Sequence, residues 1–182
     1  MKSKEKGLLE KLLGWGKRRQ SKAVVLLYDA AVTKARNPAF FTTFQVPDDV
    51  DGRFDALSLV VALVMRRLKA SGDEGRALSQ QLFDEMFSDM DLTLREMGAG
   101  DIGVSKRVRV MAEGFLGRLD AYATALDAND AAGLCAALQR NLLRDNDDAD
   151  PEASGLVEYV LAIVADLDKV PESSLLAGAI AQ

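Results

Sequence analysis

The chain has 182 residues, of which 48% are hydrophobic and 28% are charged, with a formal net charge of −5. These values are typical of a soluble globular domain with a sizeable apolar core. There is no histidine, so the commonest general base and metal ligand is excluded, which disfavours an enzyme. Residues 1–22 hold eight basic residues against two acidic ones. The remainder is therefore strongly acidic, which argues against binding to duplex DNA.

Residues 1–22 are predicted to form a basic amphipathic arm that precedes the domain of residues 23–182. Charged residues interrupt its apolar ones, so it does not resemble a signal peptide. An apolar face beside a basic cluster is typical of segments that dock on anionic membranes, and the same charges would suit ribosomal RNA. A short helix packed on the body, or a partly disordered arm, is the alternative. The docking candidates are Leu8, Leu12, Trp15, Lys17, Arg18 and Arg19.

The first half of the domain reads as two helices joined by an aromatic loop. A helix over 22–37 ends before Pro38, and Phe40, Phe41 and Phe44 follow it; the loop phenylalanines are expected to plug the core rather than to meet a partner. Next, an acid-rich N-terminus opens a helix from about 53 to 70. This helix is apolar nearly all round and too short in its apolar run to span a bilayer, so it is predicted to be the central buried helix.

Two amphipathic helices around a glycine-rich corner follow, over about 75–97 and 102–125. Gly98 is predicted to end the first helix and Asp101 to cap the second. Each helix carries an apolar stripe at helical spacing, which is equally compatible with core packing and with a binding surface. The stripes comprise Leu78, Leu82, Phe83, Met86, Met90, Leu94 and Met97, and Val104, Val108, Met111, Phe115, Leu119 and Tyr122.

Further helices are predicted over 129–143 and 152–169, with a short turn over 173–181. The fold class is therefore all-α, a single domain of about six to seven helices. No phosphate-binding loop, nucleophile elbow or zinc spacing is present, so no catalytic residue, metal or cofactor is predicted. A carboxylate-based enzyme using Asp84, Glu85 or Asp101 is the weakest alternative, because no activating partner is visible. The lone Cys135 in an apolar helical segment is expected to be buried and inert.

Several stretches resemble the ubiquinol–cytochrome c chaperone family. The most specific is Leu94-Arg95-Glu96-Met97-Gly98-x-Gly100-Asp101, and the resemblance extends over about 24–179. One departure is that Val60 and Ala62 stand where the family often has a histidine and an aromatic residue. The other matching segments are Asp51 to Asp55, Arg66-Arg67-Leu68, Leu82 to Asp91, Lys106, Met111, Phe115, Gly117-Arg118, Ala121-Tyr122 and Leu175 to Gly178.

The resemblance implies a non-catalytic assembly factor for the respiratory cytochrome bc complex. Its client would be newly made cytochrome b or another helical membrane protein, held in a groove between helices. A cytoplasmic location with peripheral contact at the inner face of the membrane is expected. Mitochondrial relatives act near the ribosome with a small partner protein, but this chain resembles the shorter bacterial form, which need not share either contact. A membrane-surface helical adaptor without a chaperone role is the alternative. The client or partner-binding candidates are Met86, Met90, Arg95, Glu96, Met97, Asp101 and Phe115.

Within that set the residues divide by expected role. Met86, Met90 and Phe115 are expected to shield the apolar surface of a client. Arg95, Glu96 and Asp101 are expected either to contact a partner or, through an Arg95–Asp101 pair, simply to hold the corner.

Overall fold

A computed structural model of the chain describes residues 21–98, 100–144, 146, 150–151 and 155–180. These ranges contain helices and no strand, which confirms the all-α prediction. None of these helices combines the length and apolarity needed to cross a membrane. The helices are α1 (Lys22–Ala35), α2 (Ala39–Thr42), α3 (Val50–Lys69), α4 (Gly72–Glu96), α5 (Asp101–Asp127), α6 (Ala131–Asn141), α7 (Leu156–Lys169) and α8 (Glu172–Leu176).

Helix α3 is the centre of the fold, as its sequence predicts. Every residue from 54 to 64 is buried, and α1, α4, α5 and α7 all pack around it. Asp49 caps the helix by accepting a hydrogen bond of 2.7 Å from the Gly52 N–H, so the acid-rich stretch before it is a helix N-terminus. Val60 and Ala62, where the chain departs from the family pattern, are both buried core residues.

Helices α4 and α5 meet α3 through a cluster of phenylalanine rings. Phe83 and Phe87 have ring centroids 4.6 Å apart, and Phe115 of α5 lies 5.7 Å and 5.9 Å from them. Phe54 of α3 completes the cluster at 6.2 Å from Phe87. Fully burying each such side chain contributes roughly 1.5–3 kcal/mol, so this cluster stabilises the packing of both amphipathic helices against α3.

The corner between α4 and α5 largely follows the prediction. Gly98 adopts φ +85°, the left-handed conformation in which glycine commonly ends a helix. The expected cap at Asp101 is a residue too late, because Gly100 is the extended N-cap and Asp101 is the first residue of α5. The side chain of Asp101 lies outside the described part of the structure, and so does the predicted Arg95–Asp101 pair.

The aromatic loop after α1 plugs the core, as expected. Phe40 and Phe44 are buried, and their rings contact Tyr159 of α7 at centroid distances of 5.4 Å and 5.0 Å. Phe41 is only partly buried. The loop that follows α1 thus packs against α7, and it leaves the Phe41 side chain partly open to solvent. Cys135 of α6, expected to be buried, is only partly so.

Candidate functional site

An open groove lies between α1, the α2 loop, the start of α3 and the second half of α4. Its volume is about 620 Å³, within the range typical of binding clefts. Its apolar lining consists of Val32, Ala35, Pro38, Phe41, Val50, Phe54, Leu57 and Met90, and its polar lining consists of Arg36, Thr42, Asp48, Arg53, Asp89 and Thr93. We call this feature the client groove, after the sequence-based expectation of a client-binding groove between helices.

The charged groups around the client groove are held by specific hydrogen bonds. Arg53 Nε donates to Asp48 Oδ1 at 2.7 Å, and the Tyr28 hydroxyl donates to Asp89 Oδ2, also at 2.7 Å. Burial and the adjacent Asp89 carboxylate raise the pKa of Tyr28 above its usual range. The hydroxyl therefore stays protonated and remains a donor to Asp89. These bonds fix polar groups at the rim and leave an apolar floor.

The polar side chains of the described client-groove lining are two arginines, two aspartates and two threonines. Both carboxylates accept hydrogen bonds, Asp48 from Arg53 and Asp89 from Tyr28. Elsewhere in the described ranges, no group of three or more potential ligand side chains converges in a way that would hold a metal ion. The arrangement suits recognition of an apolar or amphipathic helix, whose apolar side chains would contact the floor.

The structure separates the sequence-predicted site residues into three groups. Met86 and Phe115 have no exposed surface; packing of α4 and α5 against α3 moves them from the expected groove to the core. Met90 lines the client groove. Arg95, Glu96 and Met97 are exposed at the end of α4.

Met97, the C-cap of α4, follows the groove-lining Met90 and Thr93 at helical spacing. Met90, Thr93 and Met97 share one face of α4, because residues three, four and seven apart lie above one another on a helix. Met97 is 60% exposed, an unusually large fraction for a methionine. On the neighbouring face, Arg95 forms an ion pair with Asp91. The arm candidates Leu8, Leu12, Trp15, Lys17, Arg18 and Arg19 lie outside the described residues.

A buried ion network, which was not predicted from the sequence, joins residues from distant parts of the chain. Asp55 of α3 is 1% exposed; Arg118 Nη2 lies 2.7 Å from its Oδ1, and Arg144 Nε donates to its Oδ2 at 2.8 Å. Arg118 also lies over the Phe54 ring, 5.6 Å from its centroid. Burial raises the pKa of Asp55, and the two arginines oppose this shift. We call this set the Asp55 network.

The Asp55 network extends outward to Asp51. Arg107 donates to Asp51 Oδ1 at 2.7 Å, and Arg144 lies 3.8 Å from Asp51 Oδ2. Asp51, Asp55 and Arg118 all belong to segments that carry the family resemblance. The family resemblance therefore marked the segments that contain these residues. Sequence spacing alone, however, does not show which residues so far apart form ion pairs.

Comparison with known proteins identifies the family to which the chain is similar. The model of the family described as "Ubiquinol-cytochrome C chaperone" matches residues 42–181. Ubiquinol-cytochrome-c reductase complex assembly factor 1 of Xenopus laevis is 28% identical over 154 residues, which cover 85% of this chain and 76% of that protein. Its Drosophila melanogaster counterpart is 27% identical over 156 residues, covering 83% of this chain and 60% of that protein.

A solved structure is similar to this chain over nearly its whole length. The crystal structure of the Cbp3 homolog from Brucella abortus superposes with a TM-score of 0.77 at 39% identity, covering 99% of this chain and 95% of that chain. Together with the family match, this confirms the resemblance noted in the sequence. The chain belongs to the ubiquinol–cytochrome c chaperone family.

Proposed function

We propose that this chain is a non-catalytic assembly factor of the cytochrome bc complex and that it holds newly made cytochrome b, or another helical membrane-protein client, in the client groove. Family membership and the names of the relatives, which are assembly factors of ubiquinol-cytochrome c reductase, support the assembly role. The observation that carries the binding mode is the open groove of about 620 Å³ with an apolar floor.

The chemistry of the groove supports a holding function. A newly made membrane helix exposes apolar side chains that associate unproductively in water, and covering them is favourable by roughly 25 cal/mol per Å². Partly buried Met90 and Phe41 offer contact area for such side chains, and methionine adapts to partners of different shape. The charged rim would meet the polar ends of the client.

The end of α4 is the proposed continuation of this surface. Met97 would contact the client, and Arg95 and Glu96 would contact the client or a small partner protein, because all three side chains are exposed beside the groove. The arm residues Leu8, Leu12 and Trp15, with Lys17, Arg18 and Arg19, would bring the domain to the anionic inner face of the cytoplasmic membrane or to the ribosome.

Complementation of a deletion strain tests this proposal. A variant with Val50→Asp and Thr93→Lys places charge on the groove lining, whereas Val110→Asp places charge on an exposed apolar residue of α5 outside it. We expect wild type and Val110→Asp to restore cytochrome b and the assembled complex, and the groove variant to fail at equal protein level and melting temperature. Normal complex in the deletion strain itself would refute the assembly role; full rescue by the groove variant would refute the binding mode.

A further inference from the structure

Helices α1 and α4 lie side by side and run in the same direction. The Ser21 N–H donates to Gln81 Oε1 at 3.3 Å, and the Tyr28 hydroxyl, seven residues farther along α1, donates to Asp89, eight residues farther along α4. In this parallel register Val25 of α1 lies about level with Glu85 and Asp29 about level with Asp89, and Leu92 follows Glu85 and Asp89 at helical spacing along α4. We call these five residues the α1–α4 seam.

The α1–α4 seam is both apolar and acidic. Val25 is 39% exposed and Leu92 is 55% exposed, and both are among the few large apolar side chains that face solvent in the described residues. Between them, the carboxylates of Asp29 and Asp89 lie close enough to Glu85 to raise its pKa further, in addition to the larger effect of burial. A ligand for this surface should therefore combine apolar side chains with positive charge.

The N-terminal arm has this composition. Residues 1–20 contain seven basic residues against Glu5 and Glu10, and Leu8, Leu12 and Trp15 fall on one side of a helix. The arm is also tethered at the right place, since residues 1–20 lead directly into Ser21, the N-cap of α1, whose N–H donates to Gln81 at the beginning of the seam. Such a short tether gives a high effective concentration, so even weak contacts suffice for docking.

The lengths of the two elements match. The register of α1 and α4 places Val25 about level with Glu85, and Leu92 lies seven residues farther along α4, about 10 Å at 1.5 Å per residue. Leu8 to Trp15, which are also seven residues apart, would span about 10 Å in helical form. Residues 16–20, which begin with Gly16, leave enough chain for a reversal of direction before Ser21.

We propose that the arm folds back onto the α1–α4 seam, with Leu8, Leu12 and Trp15 against Val25 and Leu92 and its basic residues against Asp29 and Glu85. The docked arm hides the face that would otherwise enter an anionic membrane. Membrane binding then requires release from the seam, so the seam keeps the arm inactive until a surface of higher negative charge competes for it. The regulatory step rests on the membrane contact proposed for the arm. The seam shares Asp89 with the client groove, but docking relies on Asp29 and Glu85, which do not line the groove, so arm docking and client binding can each fail without the other.

Fluorescence of Trp15, the only tryptophan in the chain, tests the proposal on the full-length protein. At low salt we expect emission shifted to shorter wavelength, and a severalfold lower acrylamide quenching constant, than in a free peptide of residues 1–20. The variant Asp29→Lys with Glu85→Lys should restore peptide-like emission and quenching. Glu113→Lys with Asp120→Lys, which reverses the same number of charges at exposed positions of α5, should leave both signals unchanged. Vesicles rich in anionic lipid should bind the seam variant more tightly than wild type.

Several results would overturn the proposal. If acrylamide quenches Trp15 as strongly in the full-length protein as in the free peptide, the arm is not docked. If Trp15 stays protected from quenching in the Asp29→Lys, Glu85→Lys variant, the arm docks at another surface. Protection that disappears on dilution would assign the contact to a second copy. A melting curve and a circular dichroism spectrum check that the variants are folded. Leu92→Ser is a milder second variant that should increase quenching if the lysine variant does not fold.

Discussion

The client groove and the Asp55 network are built from the same short segment at the start of α3, yet they differ in what they offer to other molecules. In the network, Asp55 is enclosed by Arg118 and Arg144, which come from α5 and from the segment after α6. In the groove, Phe54 and Arg53 border an open space. Consecutive residues thus divide between holding the fold and presenting a surface. Loss of complex assembly by a variant in this segment is informative only when its stability is measured as well.

The largest effect is expected from Asp55→Ala. Removing the carboxylate leaves two arginines without their buried partner, and such losses cost about 3–5 kcal/mol. The melting temperature should fall by roughly 6–12 °C or more for a domain of this size, with assembly lost as a consequence. Asp91→Ala, which breaks the exposed pair with Arg95, is the matched control and should change it little. Similar melting temperatures for the two variants would contradict a structural role for the network.

The methionine pair of α4 sharpens the distinction between core and groove. Met86 is fully buried, so Met86→Ala should reduce the free energy of unfolding by about 2–5 kcal/mol. Met90 is only partly buried, so Met90→Ala should cost about 1 kcal/mol or less while reducing client capture. Urea denaturation combined with a client pull-down measures both. If Met90→Ala reduced the free energy of unfolding more than Met86→Ala, Met90 would be the more buried of the two side chains, and the groove would be closed in solution.

Gly52→Ala tests the first turn of α3, from which both the client groove and the Asp55 network are built. A Cβ atom at this position would stand 1.9 Å from the Pro47 carbonyl oxygen, so the first turn of α3 must shift. Forced shifts of this kind typically cost about 1–3 kcal/mol. Thermal melting should detect the loss, with Gly114→Ala as the control, because nothing lies within 4 Å of a Cβ there. Equal stability of Gly52→Ala and wild type would show that the turn yields freely.

Arg95→Glu should have the smallest effect on stability. Arg95 is exposed and paired with Asp91 on the same helix, and such surface pairs contribute less than about 1 kcal/mol. If this side chain contacts client or partner, complex assembly should fall while the melting temperature stays within a few degrees. Reduced assembly rescued by Asp91→Arg in the same chain would instead assign Arg95 a structural role at the corner.

The helices were predictable because their apolar residues repeat at helical spacing, and α3 was predictable as the central helix because its apolar run is unbroken. The different fates of Met86 and Met90 were not predictable, because both lie on the same stripe of α4 and only the positions of α1 and α5 decide which is covered. The Asp55 network was missed for a related reason. Asp55, Arg118 and Arg144 each resemble ordinary surface charges until the chain brings them together.

Site-specific photocrosslinking shows directly whether cytochrome b binds in the client groove. A photoreactive phenylalanine analogue is placed at Thr93 in the client groove or at exposed Val110 on α5, and newly made membrane proteins are labelled before irradiation. Binding in the groove predicts a crosslink to cytochrome b from Thr93 and little from Val110. A crosslink of equal yield from both positions, or from Val110 alone, would contradict binding of cytochrome b in the client groove.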